Sequence, residues 1–439
     1  MGHDRMSDHG TDHDGVHSDG TNHDGPGGGP SHDGMSHDGM SHDGMAGPRP
    51  RPAVIRPAGR TVGAARVRVI ALVSVVALLV TAGVVAGVSF AVSRLDRAIP
   101  QTDLFGSATP TPEGSADPSA DASPEPEPTT PPPGSDITGP LNFLLAGHDM
   151  VPGNPDRVAP HSDAVLILHI DASLTQAYLT SLPRDLLVNV PANPASGTGA
   201  DYTKLTHAMT YGSQVPGSSQ RDLAQGFALL ARTVSAYTGI EHFDGGAVLS
   251  FSGLARLVDA LGGIDVYVDT PVTSKHMGPD GTSAEERGGP FQHYPVGMFH
   301  MEGWQALDYC RQRYGLSDGA YGRDRHIRQV VKAIVTKLVS FDLVRYPHTA
   351  PFVLAALGDT VTLDLRGREL HEYVYALRNL RPEAITLVGL PGGGVFSGGN
   401  YLGESLAPIQ AEYFAAVRND TVADFLARNP GLINQDAPV

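Results

Sequence analysis

The chain has 439 residues, a formal net charge of −16 and 27 Arg against 4 Lys, a composition expected of a GC-rich genome. Its length could hold two or three domains, but residues 1–46 carry nine Asp against one Arg, residues 47–98 eight Arg against one Asp, and residues 99–136 seven acids and no base. What remains is mildly acidic with no basic stripe, which speaks against nucleic-acid binding, and a single cysteine, Cys310, excludes an intrachain disulfide.

Residues 1–46 are a low-complexity tract in which Ser-His-Asp-Gly-Met recurs at Ser31–Met35, Ser36–Met40 and Ser41–Met45. It has almost no core-forming residues and is expected to be disordered. Its His and Asp would suit a transition metal, although a solvated tail is the simpler reading. A basic segment, 47–68, leads into Val69–Val92, a run without a charge. About 20 apolar residues suffice to span a bilayer. Six arginines precede the run, and only Arg94 and Arg97, offset by Asp96, follow it. The positive-inside rule then puts the N-terminus in the cytoplasm and the rest outside, on a single-pass anchor in the cell membrane. The long region before the run argues against a cleaved signal peptide. Residues 93–136, rich in Pro, Ser, Thr and acids, read as an extended extracellular spacer.

A globular domain is expected over 137–430, with a short tail at 431–439. Apolar strands are predicted at Leu141–Ala146, Ala164–Ile170, Ala177–Leu182, Ala247–Phe251, Ile264–Val268 and Ile385–Leu390. Helical patterns cover Leu205–Tyr211, Leu223–Tyr237, Ser252–Leu261, Glu302–Asp308, Arg323–Phe341, Arg368–Leu380, Ala407–Val417 and Thr421–Arg428. Strands and helices mix throughout, with no Walker or Gly-x-Gly-x-x-Gly motif. The expectation is one α/β domain built on a mixed sheet.

The most informative segment is Tyr309-Cys310-Arg311-Gln312-Arg313-Tyr314, with Arg323 following after a Gly-containing loop. On a strand, Arg311 and Arg313 would face the same way. Arg323 would open an amphipathic helix whose N-terminus is itself favourable to anions. Planar, permanently charged guanidiniums converging on one point suit a diphosphate. Cys310 beside them reads as a small buried hydrophobe.

The first three strands add to this. If they form an antiparallel meander, Asp149, Asp163 and Arg184 come to one sheet edge, where two carboxylates and an arginine suit a divalent cation and a phosphate together. Read singly, Asp149 is a turn former, Asp163 a loop cap, and Arg184 with Asp185 a surface pair of little energetic value. Lys204 is placed to reach a phosphate, with His207 close by in sequence. The other histidines show no metal-ligand spacing, and no Gly-x-Ser-x-Gly elbow marks a serine hydrolase.

Several motifs stand in order along the domain: Asn142-Phe143-Leu144-Leu145-Ala146-Gly147-His148-Asp149, Ser162-Asp163-Ala164, Ser181-Leu182-Pro183-Arg184-Asp185, Lys204-Leu205-Thr206-His207-Ala208 and Leu257-Val258-Asp259-Ala260-Leu261-Gly262-Gly263-Ile264. Gly303-Trp304-Gln305-Ala306-Leu307-Asp308-Tyr309-Cys310-Arg311-Gln312-Arg313 and then Gly322-Arg323 complete the set. Together they resemble the LytR–CpsA–Psr family. The resemblance implies an α/β/α domain with an apolar lipid groove, in a high-GC Gram-positive bacterium. It implies a phosphotransferase that moves a glycopolymer from a polyprenyl diphosphate carrier to a peptidoglycan acceptor, through a phosphodiester. By the same resemblance Asp149 and Asp163 would hold Mg2+ or Mn2+. Arg184, Arg311, Arg313 and Arg323 would bind and neutralise the diphosphate as catalytic groups, and Asp185, Lys204 and His207 would contact substrate. The family commonly has arginine where this chain has Val151 and His161, with Arg157 nearby, and a Gln-rich run where it has Ile327 and Arg328. A hydrolase acting on the same lipid, and a lipid-binding protein without chemistry, are the alternatives.

Overall fold

A computed structural model describes residues 101–106, 131–149, 159–285, 287–313, 315–316, 318–340, 358 and 361–434. The N-terminal tail, the basic segment, the apolar run 69–92, Val151 and Arg157 lie outside them. Among the described residues no helix is long and apolar enough to cross a membrane.

The apolar runs form a six-stranded mixed sheet. β1 (Leu141–His148) pairs antiparallel with β2 (Ser162–Ile170), setting Leu141 opposite Ile170 and His148 opposite Ser162. β3 (Ala177–Leu182) continues the meander antiparallel to β2. β6 (Gly245–Ser250) lies parallel to β1, with β11 (Val361–Asp364) antiparallel outside it, and β12 (Ile385–Val388) lies parallel to β3 at the other edge.

Each face of the sheet carries its own core. On one, Leu144, Val165 and Ile167 cluster with residues of α1 (Thr206–Gly212), α2 (Leu223–Thr238), α7 (Ile409–Arg418) and α8 (Val422–Arg428), among them Phe227, Leu230, Phe414 and Phe425. On the other, Leu166 and Leu179 cluster with residues of α3 (Phe251–Ala260), α4 (Gly303–Arg311) and α5 (Ala320–Ser340), including Leu254, Val258, Tyr309, Val330 and Ile334. A sheet buried on both faces needs apolar residues at successive positions, which is why β3 is buried throughout. α6 (Leu370–Ala376) follows β11 and adds Tyr373 to the second core.

The sequence expectations fail at the arginine segment. Arg311 and Arg313 do not sit on a strand. Glu302 and Gln305 form a capping box that starts α4, with Glu302 N–H donating to Gln305 Oε1 at 2.9 Å. The buried positions Ala306, Tyr309 and Cys310 then follow helical spacing. The helix runs to Arg311, Gln312 turns the chain into extended backbone, and Arg313 lies in the loop beyond. Arg323 does not open α5 either. That helix begins at Ala320, and the Arg323 N–H already donates to Gly319 O at 3.3 Å.

Smaller ribbons, mostly unread in the sequence, surround the sheet. β4 (Leu187–Val190) pairs with β5 (Asp201–Lys204), β7 (Ile264–Val268) with β10 (Gly297–Met301), β8 (Val272–Thr273) with β9 (His293–Tyr294), and β13 (Gly392–Ser397) with β14 (Asn400–Leu406).

Two boundaries also move. Within the stretch read as spacer, residues 101–106 pack on the domain. Leu104 is fully buried, its N–H donates to Asp364 Oδ2 at 2.8 Å, and Phe105 meets Phe227 edge-on at 5.4 Å. The two apolar residues make this six-residue stretch a docking strip in otherwise polar sequence. Likewise residues 431–434, read as tail, close the fold, with Asn434 N–H donating to Leu387 O at 2.9 Å.

His326 gives the fold a pH signature. It is fully buried, stacks on Tyr309 at 4.0 Å and turns Nδ1 toward Tyr309 O at 3.2 Å. Burial pushes its pKa down from 6.5 to about 3. The unfolded chain therefore takes up the proton first, so stability is whole above 6.5 and is lost as pH falls toward 3. Thermal melting is expected to drop between about pH 7 and pH 4, and His326→Phe, which keeps the stack and cannot titrate, is expected to flatten that drop.

Candidate functional site

The meander does what its strand order requires. β1 ends at His148 beside Ser162, the first residue of β2, so Asp149 and Asp163 lie at one end of the sheet. Arg184, two residues past β3, donates from Nη1 to Asp163 Oδ1. Asp163 is 8% exposed, and burial pushes its carboxyl up, against the pull of Arg184. The charges of Asp149, His161 and Arg323 also reach it. Asp149, Asp163, Arg184 and Arg323 thus form one electrostatic cluster. Asp149 itself is exposed to solvent.

Asp185, 3% exposed, is a second centre. Its carboxylate meets Lys204 Nζ at 3.2 Å, Arg313 Nη2 at 3.5 Å and Arg184 Nε at 3.8 Å. Lys204 arrives from the end of β5, and Arg313 from the loop after α4. His207, in the first turn of α1, exchanges a hydrogen bond through Nδ1 with Thr203 Oγ1 at 2.8 Å. Its ring is 6.2 Å from that of His161, and burial, then His161 and Lys204, hold its pKa down. Arg311 ends α4 exposed to solvent, and Ile327 is packed in the second core.

Sequence reasoning gave several charged groups here no role in the site. Asp324 is buried against Arg323, whose Nη2 donates to Oδ1 at 3.0 Å, while Asp324 Oδ2 has no hydrogen-bond partner among the described residues. Burial raises the Asp324 carboxyl. Arg325 pairs with Asp269 at 2.9 Å and with Asp318. Arg328, 3% exposed, donates from Nη1 to Ser181 Oγ and from Nε to Asn434 Oδ1 at 3.1 Å, and burial pushes it down to about 10. The signal was the run of charges at 323, 324, 325 and 328, packed into the first turns of a helix that also carries an apolar stripe. A cleft of about 760 Å³ lies alongside, lined by Ser181, Tyr321, Asp324, Arg328, Gly392 and Glu404 among others.

Among the described residues no group of three or more His, Cys, Asp or Glu gathers as a metal site. Asp149 and Asp163 offer a two-carboxylate set of hard oxygens. Mg2+ is commonly held by one or two carboxylates with phosphate oxygens completing its shell, so this donor set fits it.

Comparison with known proteins agrees with this architecture. The model of the LytR_cpsA_psr family matches residues 109–415. The polyisoprenyl-teichoic acid–peptidoglycan teichoic acid transferase TagU of Enterococcus faecalis is 31% identical over 229 residues, covering 52% of this chain and 62% of that protein. The cell wall biosynthesis protein LcpA of Corynebacterium glutamicum is 25% identical over 320 residues, 66% of this chain and 57% of that one. The chain therefore spans less than two thirds of the length of either relative. A crystal structure of a Streptococcus agalactiae protein, 21% identical, has a TM-score of 0.50 and covers 64% of this chain and 88% of its own. That likeness concerns the fold alone.

Asp185 is the test of the site's architecture. Asp185→Asn leaves three cations facing a neutral amide and is expected to cost about 2–4 kcal/mol in urea unfolding. Lys204→Ala, which removes one part-exposed partner, is expected to cost no more than about 1 kcal/mol.

Proposed function

The chain belongs to the LytR_cpsA_psr family, and on that premise we propose that it transfers a glycopolymer from a polyprenyl diphosphate to peptidoglycan, forming a phosphodiester outside the membrane. The observation that carries this reading is the cluster at the end of the meander, where Asp163, Arg184 and Arg323 sit within one field and Asp185 draws Arg313 and Lys204 to the same edge.

The step is attack by a sugar hydroxyl of the acceptor on the phosphorus next to the glycan. A new P–O bond forms, the bond to the bridging oxygen breaks, polyprenyl phosphate leaves with the electron pair, and the hydroxyl proton ends on that phosphate or in water. Negative charge grows on the bridging and equatorial oxygens, so groups fixed in advance lower the barrier by position and electrostatics. Arg184, Arg311, Arg313 and Arg323 take that role, and Asp185, Lys204 and His207 line the approach. Asp149 and Asp163 would hold Mg2+ or Mn2+, which when bound would neutralise diphosphate oxygens. His161, whose charge reaches Asp163, stands where the family commonly has arginine.

The lipid needs a dry path. On the second-core face, Phe143 and Leu145 of β1 and Leu249 of β6 are only partly buried. They support an apolar groove running from the arginines along the sheet.

The apolar run 69–92 would anchor the chain, N-terminus inside. Because residues 101–106 dock on the sheet edge, eight residues separate that run from the domain. Fully extended, they reach at most about 29 Å. This reading keeps the domain close to the bilayer, where a lipid-linked donor is presented.

Full-length chain in detergent, supplied with Mg2+, a glycan–diphosphate–polyprenol and peptidoglycan, is expected to yield polymer-bearing peptidoglycan. Arg184→Ala and Arg311→Ala are each expected to lower turnover about 10²–10³-fold, and a chelator is expected to abolish it. Full turnover in both variants would refute the site. Release of free glycan phosphate at the same rate without peptidoglycan would mean a hydrolase, and bound lipid without turnover a carrier.

A further inference from the structure

The β13–β14 hairpin presents large apolar side chains to solvent at the rim of the charged cluster. Phe396 is 63% exposed, Leu402 45% and Tyr401 40%. Phe396 and Tyr401 meet edge-to-face at 5.6 Å, so one ring holds the other in place. The outer strand is unusually bare, with Gly392, Gly393 and Gly394 in succession. A Cβ at Gly392 would lie 2.1 Å from the Tyr321 hydroxyl and 2.4 Å from Ser405 O, so the close approach of α5 to the hairpin depends on that glycine.

Three observations tie this surface to the proposed transfer site. Lys204 Nζ lies over the Tyr401 ring at 4.9 Å, and the same ammonium holds Asp185 at 3.2 Å. Glu404 N–H donates to Asp185 O at 2.8 Å, fixing β14 to the segment that follows β3. The Glu404 carboxylate, 7% exposed, accepts from Tyr401 Oη at 2.7 Å and from Tyr321 Oη at 3.3 Å. Both Glu404 and Tyr321 line the cleft of about 760 Å³, as do the three glycines, and that volume is typical of a small-ligand site. An exposed apolar patch rimmed by polar groups marks a binding surface.

We propose that the hairpin is the acceptor platform, with Phe396 and Tyr401 stacking against the C–H faces of sugar rings in a peptidoglycan glycan strand. Sugar rings join an apolar face to a hydroxyl edge. Aromatic faces beside a carboxylate and tyrosine hydroxyls match both. The occupant is a glycan because the patch is continuous with the charged cluster through Lys204 and Asp185, where a second substrate must meet the diphosphate. The proposal rests on the transferase reading for the identity of that substrate.

The test uses full-length chain and three separate measurements, two in detergent and one of binding to phosphatidylglycerol vesicles. Soluble, uncrosslinked peptidoglycan glycan strands are titrated by calorimetry, and consumption of the lipid-linked donor is followed with strands present. Phe396→Ala and Tyr401→Ala are each expected to weaken strand binding about tenfold and to raise the strand KM in proportion, with donor binding unchanged. Phe396→Trp is expected to restore strand binding. Strand affinity unchanged in both alanine variants would overturn the platform, even if the wild-type chain transfers polymer. Lost binding of phosphatidylglycerol vesicles with strand binding intact would also overturn it, and would make the hairpin a membrane contact. A wild-type chain that binds strands through Phe396 yet never consumes donor would support the platform and refute the transferase.

Discussion

Asp185 is where four separate stretches of chain meet. It follows β3, its carboxylate faces Lys204 at the end of β5 and Arg313 after α4, and its own backbone carbonyl holds β14 through Glu404. A buried carboxylate without partners is costly, and replacing the buried carboxylate, which strands the cations around it, costs far more than the set returns in net stability. The network therefore reads as a positioning device. It sets a lysine and an arginine from distant parts of the sequence at one sheet edge, next to Asp163 and Arg184. The proposed chemistry depends on that convergence.

Burial sorts the arginines. Arg328 is enclosed, with Ser181 and Asn434 as partners, and Arg325 is committed to Asp269 and Asp318. These two brace α5 against the sheet and the ribbons around it. The Arg313 side chain is 44% exposed and that of Arg184 31%, and Arg311 is exposed at its helix end. The three arginines given the diphosphate in the proposed chemistry keep access to solvent. Arg323 stands between the two sets: it is buried against Asp324, yet its charge is felt at Asp163.

Much of the fold was legible because the strands are buried on both faces and the helices carry unbroken stripes. Ala177–Leu182 and Ile264–Val268 were bounded as found, and the meander followed from three apolar runs with short links. The arginine segment misled because alternation in Arg311-Gln312-Arg313 is a two-residue signal. The capping box at Glu302 and the helical spacing of Ala306, Tyr309 and Cys310 outweigh it. The other ribbon strands were missed because two to seven residues carry little pattern, and β13 is all glycine at its start. Docking of Leu104 and Phe105 was hidden for another reason. Two apolar residues in a Pro- and acid-rich stretch have partners, Asp364 and Phe227, that lie far along the chain and leave no local pattern.

The central claim is that the arginine cluster and the partly exposed stripe of Phe143, Leu145 and Leu249 together hold a lipid with a diphosphate head. Mass spectrometry of lipid extracted from full-length chain purified out of native membranes tests this most directly. A polyprenyl phosphate or diphosphate, present in stoichiometric amount and depleted in Arg184→Ala, is the predicted result. Bulk phospholipid alone, with the same profile in wild type and variant, would contradict the account.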